Sequence, residues 1–211
     1  AQDIEARMDA EGETLQKLAD ELSASRARAG EELAAKICAE LAFLDMPTVR
    51  FVVSQTPRSL TARGGDRVEF LISANAGEEP RPLSKIASGG ELSRIMLSIK
   101  RVLAELDVVD TLIFDEIDTG ISGRAAQKVG RTLRATAGGG RQVICVTHLA
   151  QIAALGQQHL LIEKSVKDGR TYTRVSALDR QQRIRELARI IGGEPVTEAT
   201  MRSAQEMLDA G

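Results

Sequence analysis

One short stretch of the sequence, Ser88-Gly89-Gly90-Glu91, has the residue types of an anion-binding turn. It directly precedes an amphipathic pattern that predicts a helix running to about Leu106. Ser88 and Glu91 have the S-x-x-E spacing of a capping box, which by itself indicates only a well-capped helix. A cap does not require two glycines at its second and third positions, where glycine costs helix stability. Because glycines let another molecule approach the backbone N–H groups, the stretch also predicts an anion site at the start of the helix.

A pair of acidic residues, Asp115 and Glu116, follows the short apolar run Thr111–Phe114. The run predicts a strand of a parallel sheet, and ligands bind at the carboxyl ends of such strands. Two adjacent carboxylates at that position are energetically unfavourable unless a cation or a reacting group binds beside them. Asp115 suits Mg²⁺, a hard cation that takes oxygen ligands, and Glu116 is placed to polarise a water for attack on a phosphoryl group. Acidic residues also end many strands without any catalytic role.

A second apolar run, Gln142–Thr147, delivers His148 to the same predicted sheet edge. The helical pattern Gly123–Ala137 separates the two runs, and strand, helix, strand at this spacing predicts parallel pairing through a right-handed crossover. The continuous apolar character of both runs predicts strands that are buried on both faces. A lone His is usually structural, but two neighbouring strands that end in Asp-Glu and Thr-His favour a functional site.

The segment Asp118-Thr119-Gly120-Ile121-Ser122-Gly123 connects the acidic pair to the predicted helix. Ser122 is suited to be the N-cap of that helix. Together with Asp118 it could also contact a partner molecule across an interface. The residues themselves leave both interpretations open.

The composition limits the functions that these stretches can serve. The chain has 211 residues, with 43% hydrophobic and 27% charged side chains, which fits one core or a modest domain with an extension. An aromatic content of 2% argues against a base-stacking platform, and a net charge of -2 gives no strong attraction to nucleic acid. Two cysteines, Cys38 and Cys145, form no C-x-x-C pair and predict unpaired thiols in a reducing compartment. With no apolar run of membrane-spanning length and no signal peptide, we expect a cytoplasmic protein.

Two domains are predicted, with a boundary at residue 45. The first, residues 1–45, has no Pro and predicts one long helix, which Asp45-Met46-Pro47 should end. Its narrow apolar stripe and charged remainder favour the base of a coiled-coil arm over a single surface helix. The stripe comprises Leu15, Leu18, Leu22, Ala29, Leu33, Ile37 and Leu41.

The second predicted domain, residues 46–211, begins with an antiparallel section. Two strand-like runs, Val49–Val53 and Val68–Ile72, are followed by a Pro-rich loop at 79–82. After the strand–helix–strand unit, a turn at Lys167-Asp168-Gly169 joins two final strands. Two helical patterns, at about 179–191 and 197–208, end the chain.

In this order, the stretches resemble the motifs of the ATP-binding-cassette ATPases. Ser88–Leu92 resembles the signature motif, and Thr111–Glu116 resembles the Walker B strand with its catalytic glutamate. Asp118–Ser122 is similar to the D-loop, and His148 to the switch histidine. The resemblance is closest to the RecN family of bacterial DNA repair ATPases, which are SMC-like. It is carried by Lys85–Arg94, Phe114–Gly123, Val146–Ala153 and Glu186–Gly193.

This resemblance implies an α/β fold. The expected structure is the carboxy-terminal lobe of an SMC-type P-loop ATPase head, with a mostly parallel sheet, flanking helices, a small antiparallel section and the coiled-coil helix. The implied ligands are ATP and Mg²⁺, with Asp115 on the metal, Glu116 as general base and His148 near the γ-phosphate. The resemblance assigns nucleotide binding to Ser88, Gly89, Gly90, Glu91 and Asp118.

One ATPase motif is missing, because the sequence contains no G-x-x-x-x-G-K-[ST]. Gly138-Gly139-Gly140-Arg141 lacks the Lys-Ser/Thr pair and precedes a strand, so it is better interpreted as a loop. The chain is therefore expected to be inactive alone. The resemblance implies three partners: an amino-terminal lobe of the same protein that carries Walker A, a second head in an ATP-bridged homodimer, and DNA.

Other classes of protein share part of this pattern. A transporter cassette would carry Walker A shortly upstream, where this chain has a predicted coil. A condensin-type chromosome SMC head is the closer alternative, and the residues that flank the signature motif favour DNA repair and recombination instead. A non-catalytic coiled-coil interaction module would have no need of carboxylates at a strand end.

Overall fold

The computed structural model describes residues 2–73, 75, 77–85, 88–104, 106, 108–138, 140–167 and 169–211. The chain divides into two compact units, residues 1–87 and 88–211. In the first unit the elements are α1 (Gln2–Phe43), β1 (Arg50–Thr61), β2 (Gly64–Ser73), β3 (Arg81–Pro82) and a 3₁₀ turn (Leu83–Lys85). In the second they are α2 (Gly89–Val102), β4 (Thr111–Phe114), α3 (Gly123–Ala137), β5 (Gln142–Cys145), α4 (Ala150–Ala153), β6 (Leu160–Lys167), β7 (Arg170–Ala177), α5 (Arg180–Gly192) and α6 (Glu198–Ala210).

The first unit is a long helix that packs against an antiparallel hairpin. At the carboxyl end of α1, Ile37 and Leu41 are fully buried, and Phe51 of β1 is nearly so. Near the amino end, Leu15 and Leu18 remain more than half exposed. The predicted apolar stripe is therefore covered only towards its carboxyl end.

The end of α1 is built by a backbone cap. Asp45 adopts a left-handed conformation, with φ of 61°. Its N–H donates to the Ala42 carbonyl at 3.2 Å, and the Met46 N–H donates to the Leu41 carbonyl at 2.9 Å. These two bonds form a Schellman motif, so the helix ends before Pro47 can act on it.

The β1–β2 hairpin is held to α1 by a polar cluster around Asp66. Arg26 forms an ion pair with Asp66 at 3.2 Å, and the Ser23 hydroxyl donates to the same carboxylate at 2.9 Å. Gln55 Nε2 donates to Ser23 Oγ at 2.7 Å. Hydrogen bonds from Gln55, Ser23 and Arg26 hold the pKa of Asp66 below its usual value.

The expected Pro-rich loop contains a short third strand, which the sequence prediction missed. In β3, Arg81 and Pro82 pair with Ile72 and Leu71 of β2. Proline is tolerated at such a position because an edge strand does not need every N–H in its ladder.

The second unit contains the predicted strand–helix–strand motif. β4 and β5 pair in parallel, from Thr111 opposite Gln142 to Phe114 opposite Cys145, and α3 connects them. Leu112 is buried, whereas Ile113 is 69% exposed and Ile144 is 39% exposed. The expectation of burial on both faces is therefore wrong for the described chain, because its residues cover one face of this pair.

The rest of the second unit is an antiparallel pair and a helical cluster. β6 and β7 pair from Leu160 opposite Ala177 to Lys167 opposite Arg170, and Asp168 of the predicted turn lies outside the described residues. A core forms where α4, α5 and α6 meet. α2 ends one turn before the predicted Leu106, which is 81% exposed. No helix in the described part of the chain combines the length and apolar character needed to cross a bilayer.

Candidate active site

The strands β4 and β5 bring the predicted site residues to one edge of the sheet. The Val146 N–H donates to the Phe114 carbonyl at 2.9 Å, which continues the parallel ladder past the end of β5. Asp115 and Glu116 directly follow β4, and His148 lies three residues after the end of β5. The backbone therefore places the acidic pair and His148 at the same edge of the sheet, as predicted.

The acidic pair lies on a sharp turn. Glu116 has φ of 57°, in the left-handed region that residues other than glycine rarely adopt. The Asp115 carboxylate accepts a hydrogen bond from the Glu116 N–H at 2.9 Å, which supports this conformation. Both residues are exposed. Backbone strain of this kind is concentrated at functional sites.

The start of α2 lies against the turn that follows β4. Ser88 is the N-cap, and its hydroxyl accepts from the Glu91 N–H at 3.4 Å. One turn on, the Ser93 hydroxyl donates to the Asp115 carbonyl at 2.8 Å. The two predicted motifs are therefore in direct contact within this chain.

The two glycines allow this contact. A Cβ placed on Gly90 would lie 2.8 Å from the Thr119 Cβ and 3.0 Å from the Glu116 carbonyl oxygen. A Cβ on Gly89 would overlap the Glu116 carboxylate. Gly90 is buried, while Gly89 is exposed and Ser88 is partly exposed. In this structure the close approach is made by the chain's own loop, and the predicted contact of Gly90 with a nucleotide stays a prediction.

Arg94 of α2 holds the same turn after β4 through hydrogen bonds to its backbone. The sequence interpretation gave this residue no role. It is 6% exposed, and its Nη1 donates to the carbonyls of Ile117 at 3.2 Å and Thr119 at 2.8 Å. Burial lowers the pKa of Arg94 from its usual value, while Glu91 acts in the opposite direction. The signal in the sequence was a charged residue on the apolar face of an amphipathic helix, where charges are rare unless paired.

Asp118 is the most deeply buried carboxylate of the site, with 3% of the residue exposed. Its Oδ2 accepts from the Thr147 hydroxyl at 2.6 Å and from the His148 N–H at 2.9 Å. The same oxygen lies 3.0 Å from His148 Nδ1. His148 therefore pairs with Asp118, and the proposed catalytic acids Asp115 and Glu116 lie nearby on their own turn. Ser122 is the N-cap residue of α3, without a side-chain capping bond.

The carboxylates fit a Mg²⁺ that arrives with a nucleotide. Among the described residues, no group of three or more His, Cys, Asp or Glu side chains could hold a metal ion. Mg²⁺ is commonly held by one or two carboxylates together with substrate phosphates and waters. The exposed Asp115 suits one such ligand position.

Cys145, at the end of β5, is an unreactive thiol. Burial raises the pKa of Cys145 to about 12, and the negative charges of Asp118 and Asp115 act in the same direction. Because the thiolate is the reactive form, the side chain is inert at neutral pH. Both cysteines are unpaired, as the sequence predicted.

The curated relatives of this chain include DNA repair proteins RecN from several bacteria. The chain is 49% identical over 157 residues, or 74% of its length, to the DNA repair protein RecN of Bacillus subtilis, and it covers 27% of that protein. It is 42% identical over 199 residues, or 93% of its length, to the DNA repair protein RecN of Haemophilus influenzae, and it covers 36% of that protein. The chain thus spans about a third of the length of these curated relatives. No protein-family model matches it.

The fold has neighbours among solved structures. The chain matches the Smc head domain with a coiled coil and joint from Pyrococcus yayanosii at a TM-score of 0.59 and 19% identity, over 88% of this chain and 34% of that one. At that identity the match shows the fold. The α/β fold class predicted from the sequence is confirmed, with an SMC-type head as its structural neighbour. Given its identity to RecN proteins over most of its length, the chain belongs to the RecN family of DNA repair proteins.

Proposed function

We propose that this chain is the carboxy-terminal lobe of an ATP-hydrolysing head in a protein of double-strand break repair and recombination. The observation that carries the proposal is that Asp115 and Glu116 follow one of two paired parallel strands and His148 follows the other, at the same edge of the sheet. Carboxylates and an imidazole at the carboxyl edge of a parallel sheet are suited to phosphoryl transfer to water. The relatives' name, DNA repair protein RecN, supplies the biological setting.

Each site residue has a distinct task in this proposal. Asp115 would hold Mg²⁺, and Glu116 would orient a water and take its proton as general base. His148 presents its exposed ring to the γ-phosphate. Bound Mg²⁺ would neutralise the charge that develops on the phosphate oxygens.

The proposed amino-terminal lobe supplies the phosphate-binding loop that this sequence lacks. Support for such a partner comes from surfaces that the described chain leaves open. One face of β4–β5 exposes Ile113 and Ile144, and the β6–β7 pair exposes Leu160 and Ile162. Since β5 and β6 belong to separate two-stranded sheets, each also has an unpaired edge in the described chain. Without that lobe we expect the chain to be inactive.

The proposed working unit is a homodimer of heads with ATP between them. Ser88 and the Gly90 N–H would contact the γ-phosphate held by the second head, with Gly89 and Glu91 beside them. Because Thr119 covers Gly90 in this structure, head closure would need a local separation of the α2 start from the 116–119 turn. The exposed stripe on α1, including Leu15 and Leu18, supports a second coiled-coil strand along the arm.

The first test removes the general base in the intact protein. Glu116→Gln keeps the size of the side chain and loses the proton acceptor, so we expect ATP turnover to fall at least about 100-fold. The ATP-bound dimer should accumulate, as measured by light scattering with ATP. Glu206→Gln is the matched control, because it makes the same loss of one negative charge at an exposed position of α6. It should behave as wild type. Unchanged turnover in Glu116→Gln would refute the assignment.

A second test addresses the contact between heads. Ser88→Arg places a long cation at the proposed interface, so ATP-dependent dimers should disappear while nucleotide binding by each head persists. Ser203→Arg on the exposed side of α6 is the control for the added charge. Normal dimerisation of the Ser88→Arg protein would rule out a contact of this residue with the second head.

A further inference from the structure

We propose that Asp118 is the positioning residue for His148, and that it acts on turnover through the orientation of that imidazole alone. The proposal deepens the function proposed above and rests on it. It assigns Asp118 a contact inside its own head.

Three hydrogen-bond donors converge on a single oxygen of Asp118. Oδ2 accepts from the Thr147 hydroxyl at 2.6 Å and from the His148 N–H at 2.9 Å, and it lies 3.0 Å from His148 Nδ1. The Thr147 hydroxyl also accepts from the Leu149 N–H at 3.1 Å, which ties down the next residue of the turn. One carboxylate thus organises the whole connection between β5 and α4.

This arrangement selects one tautomer of the ring. A carboxylate accepts hydrogen bonds, so His148 Nδ1 carries the proton that faces Asp118. In the neutral ring, Nε2 is then unprotonated and points away from Asp118. A carboxylate behind an imidazole fixes the tautomer and ring orientation in the same way at other catalytic sites.

Away from Asp118, most of the ring is exposed. The His148 side chain is 76% exposed, whereas the Asp118 side chain is 3% exposed. An exposed ring would otherwise sample several rotamers, and its fixed orientation therefore depends on the buried partner. Charge-assisted hydrogen bonds of this kind are about twice as strong as neutral ones.

Asp118 itself is held rigidly by its neighbours in sequence. The Ile117 side chain is fully buried, and the carbonyls of Ile117 and Thr119 both accept from Arg94. The backbone on each side of Asp118 is therefore fixed. Displacing the carboxylate would leave a buried charge without hydrogen-bond donors, which is strongly unfavourable.

The test is a double-mutant cycle on ATP turnover by the intact protein. Asp118→Asn keeps the shape and an acceptor oxygen but loses the charge, and we expect kcat to fall roughly 10- to 100-fold. KM for ATP should stay within about threefold, because an effect on the chemical step alone lowers kcat and leaves ground-state binding unchanged. In a His148→Ala background, Asp118→Asn should cause no further loss, since there is no ring left to orient.

Two further variants separate positioning from general destabilisation. Thr147→Ser keeps the hydroxyl donor and should retain near-normal turnover, whereas Thr147→Val removes one of the three donors and should lower kcat by a smaller factor than Asp118→Asn. Asp66→Asn neutralises another carboxylate that accepts from several donors, in the other unit, and should leave turnover unchanged. Should Asp118→Asn fail to fold, a double-mutant cycle of Thr147→Val and His148→Ala would take its place. Thr147→Val should then cause no further loss of kcat in the His148→Ala background.

The outcomes separate this inference from the function on which it rests. Multiplicative losses in the double variant would overturn the positioning role, because Asp118 would then act independently of His148. A KM that rises with kcat unchanged would overturn it too. The proposed function would be refuted by a different result, unchanged turnover in Glu116→Gln. That result does not involve Asp118.

Discussion

Three helices of the second unit begin with a side-chain cap, and two of them, α2 and α5, differ in what else touches their first turn. At α5, Asp179 accepts from the Gln182 N–H at 2.8 Å, and the Gln182 side chain accepts from the Asp179 N–H at 2.9 Å. At α2, the Ser88 hydroxyl accepts from the Glu91 N–H at a longer 3.4 Å. The shorter bonds and complete capping box belong to α5, which has no proposed ligand.

The glycines account for this difference. α5 continues with side chains that favour a helix, whereas α2 continues with Gly89 and Gly90, each of which costs about 1 kcal/mol relative to alanine. Both glycines lie against the turn that carries Glu116 and Thr119. The start of α5 is thus determined by local sequence. The start of α2 is less stable as a helix end, because its glycines allow contact with Glu116 and Thr119.

The largest expected effect is that of Gly90→Ala. The new Cβ would meet the Thr119 Cβ at 2.8 Å and two backbone oxygens at 3.0 Å, none of which can move alone. We expect the free energy of unfolding of the 211-residue chain to fall by about 1–3 kcal/mol, a typical cost of overpacking. The measurement is urea denaturation. The matched control is Gln181→Ala, at the same second helical position of α5, with an expected change within about 0.5 kcal/mol.

Gly89→Ala should separate stability from activity. Its Cβ would overlap the Glu116 carboxylate, which is the flexible end of a side chain and can move aside. The gain in helix propensity then offsets the contact, so we expect unfolding free energy to change by less than about 1 kcal/mol. Turnover by the intact protein should fall at least about tenfold, because the proposed base is displaced.

The control for Gly89→Ala is Arg180→Ala, at the first helical position of α5. It removes an exposed ion pair with Asp209 and should leave turnover unchanged. If Gly89→Ala had full activity, the contact between the α2 start and Glu116 would have no part in catalysis, and the comparison of the two helix starts would lose its functional meaning.

The local parts of this structure were predictable from the sequence. The sequence predicts the strand Thr111–Phe114 and the helix Gly123–Ala137 with their observed ends, because the first is a short apolar run that ends at Asp115 and the second is a helical pattern. The grouping of Asp115, Glu116 and His148 at one edge follows from parallel pairing, because two parallel strands joined by a crossover helix end at the same edge of the sheet. The role of each of these residues remains a prediction.

The contacts between distant residues were not predictable. Nothing local indicates that Arg94 reaches the Thr119 carbonyl, or that Asp118 faces Thr147 rather than a partner molecule. The exposure of Ile113 was not predicted either. An apolar run indicates that a strand is to be buried, but it does not show whether the covering residues belong to the same chain. β3 was missed because two residues carry no periodicity.

The caps themselves should differ in the energy they contribute. Asp179→Ala removes a short capping bond but keeps the bond that the backbone N–H of residue 179 donates to the Gln182 side chain, so we expect a loss of about 1 kcal/mol in unfolding free energy. Ser88→Ala removes a 3.4 Å bond, and the loss should be about half as large. Denaturation of both variants under identical conditions gives the ratio. A larger loss for Ser88→Ala would mean that the cap, more than the contact with Glu116, holds the start of α2.

The smallest expected effect is a pH dependence near the first turn of α5. Arg183 Nη2 donates to the Gly156 carbonyl at 2.5 Å and lies 3.3 Å from His159 Nε2, which in turn contacts the Ala153 carbonyl at 2.7 Å. Burial lowers the pKa of His159, and the Arg183 charge adds to this, while Ala153 and Glu186 oppose it. The folded state therefore prefers the neutral ring.

The sign of the dependence follows from that preference. Because the pKa of His159 is lower in the folded than in the unfolded chain, its contribution is fully present above about pH 6.5 and is lost as the pH falls towards the folded-state pKa. The unfolding free energy should decrease between pH 7 and 5, and His159→Gln should reduce that slope in parallel denaturation series. An identical slope in the variant would assign the pH response to other groups. The start of α5 would then lack a titrating neighbour, and its difference from the start of α2 would lie in the glycines alone.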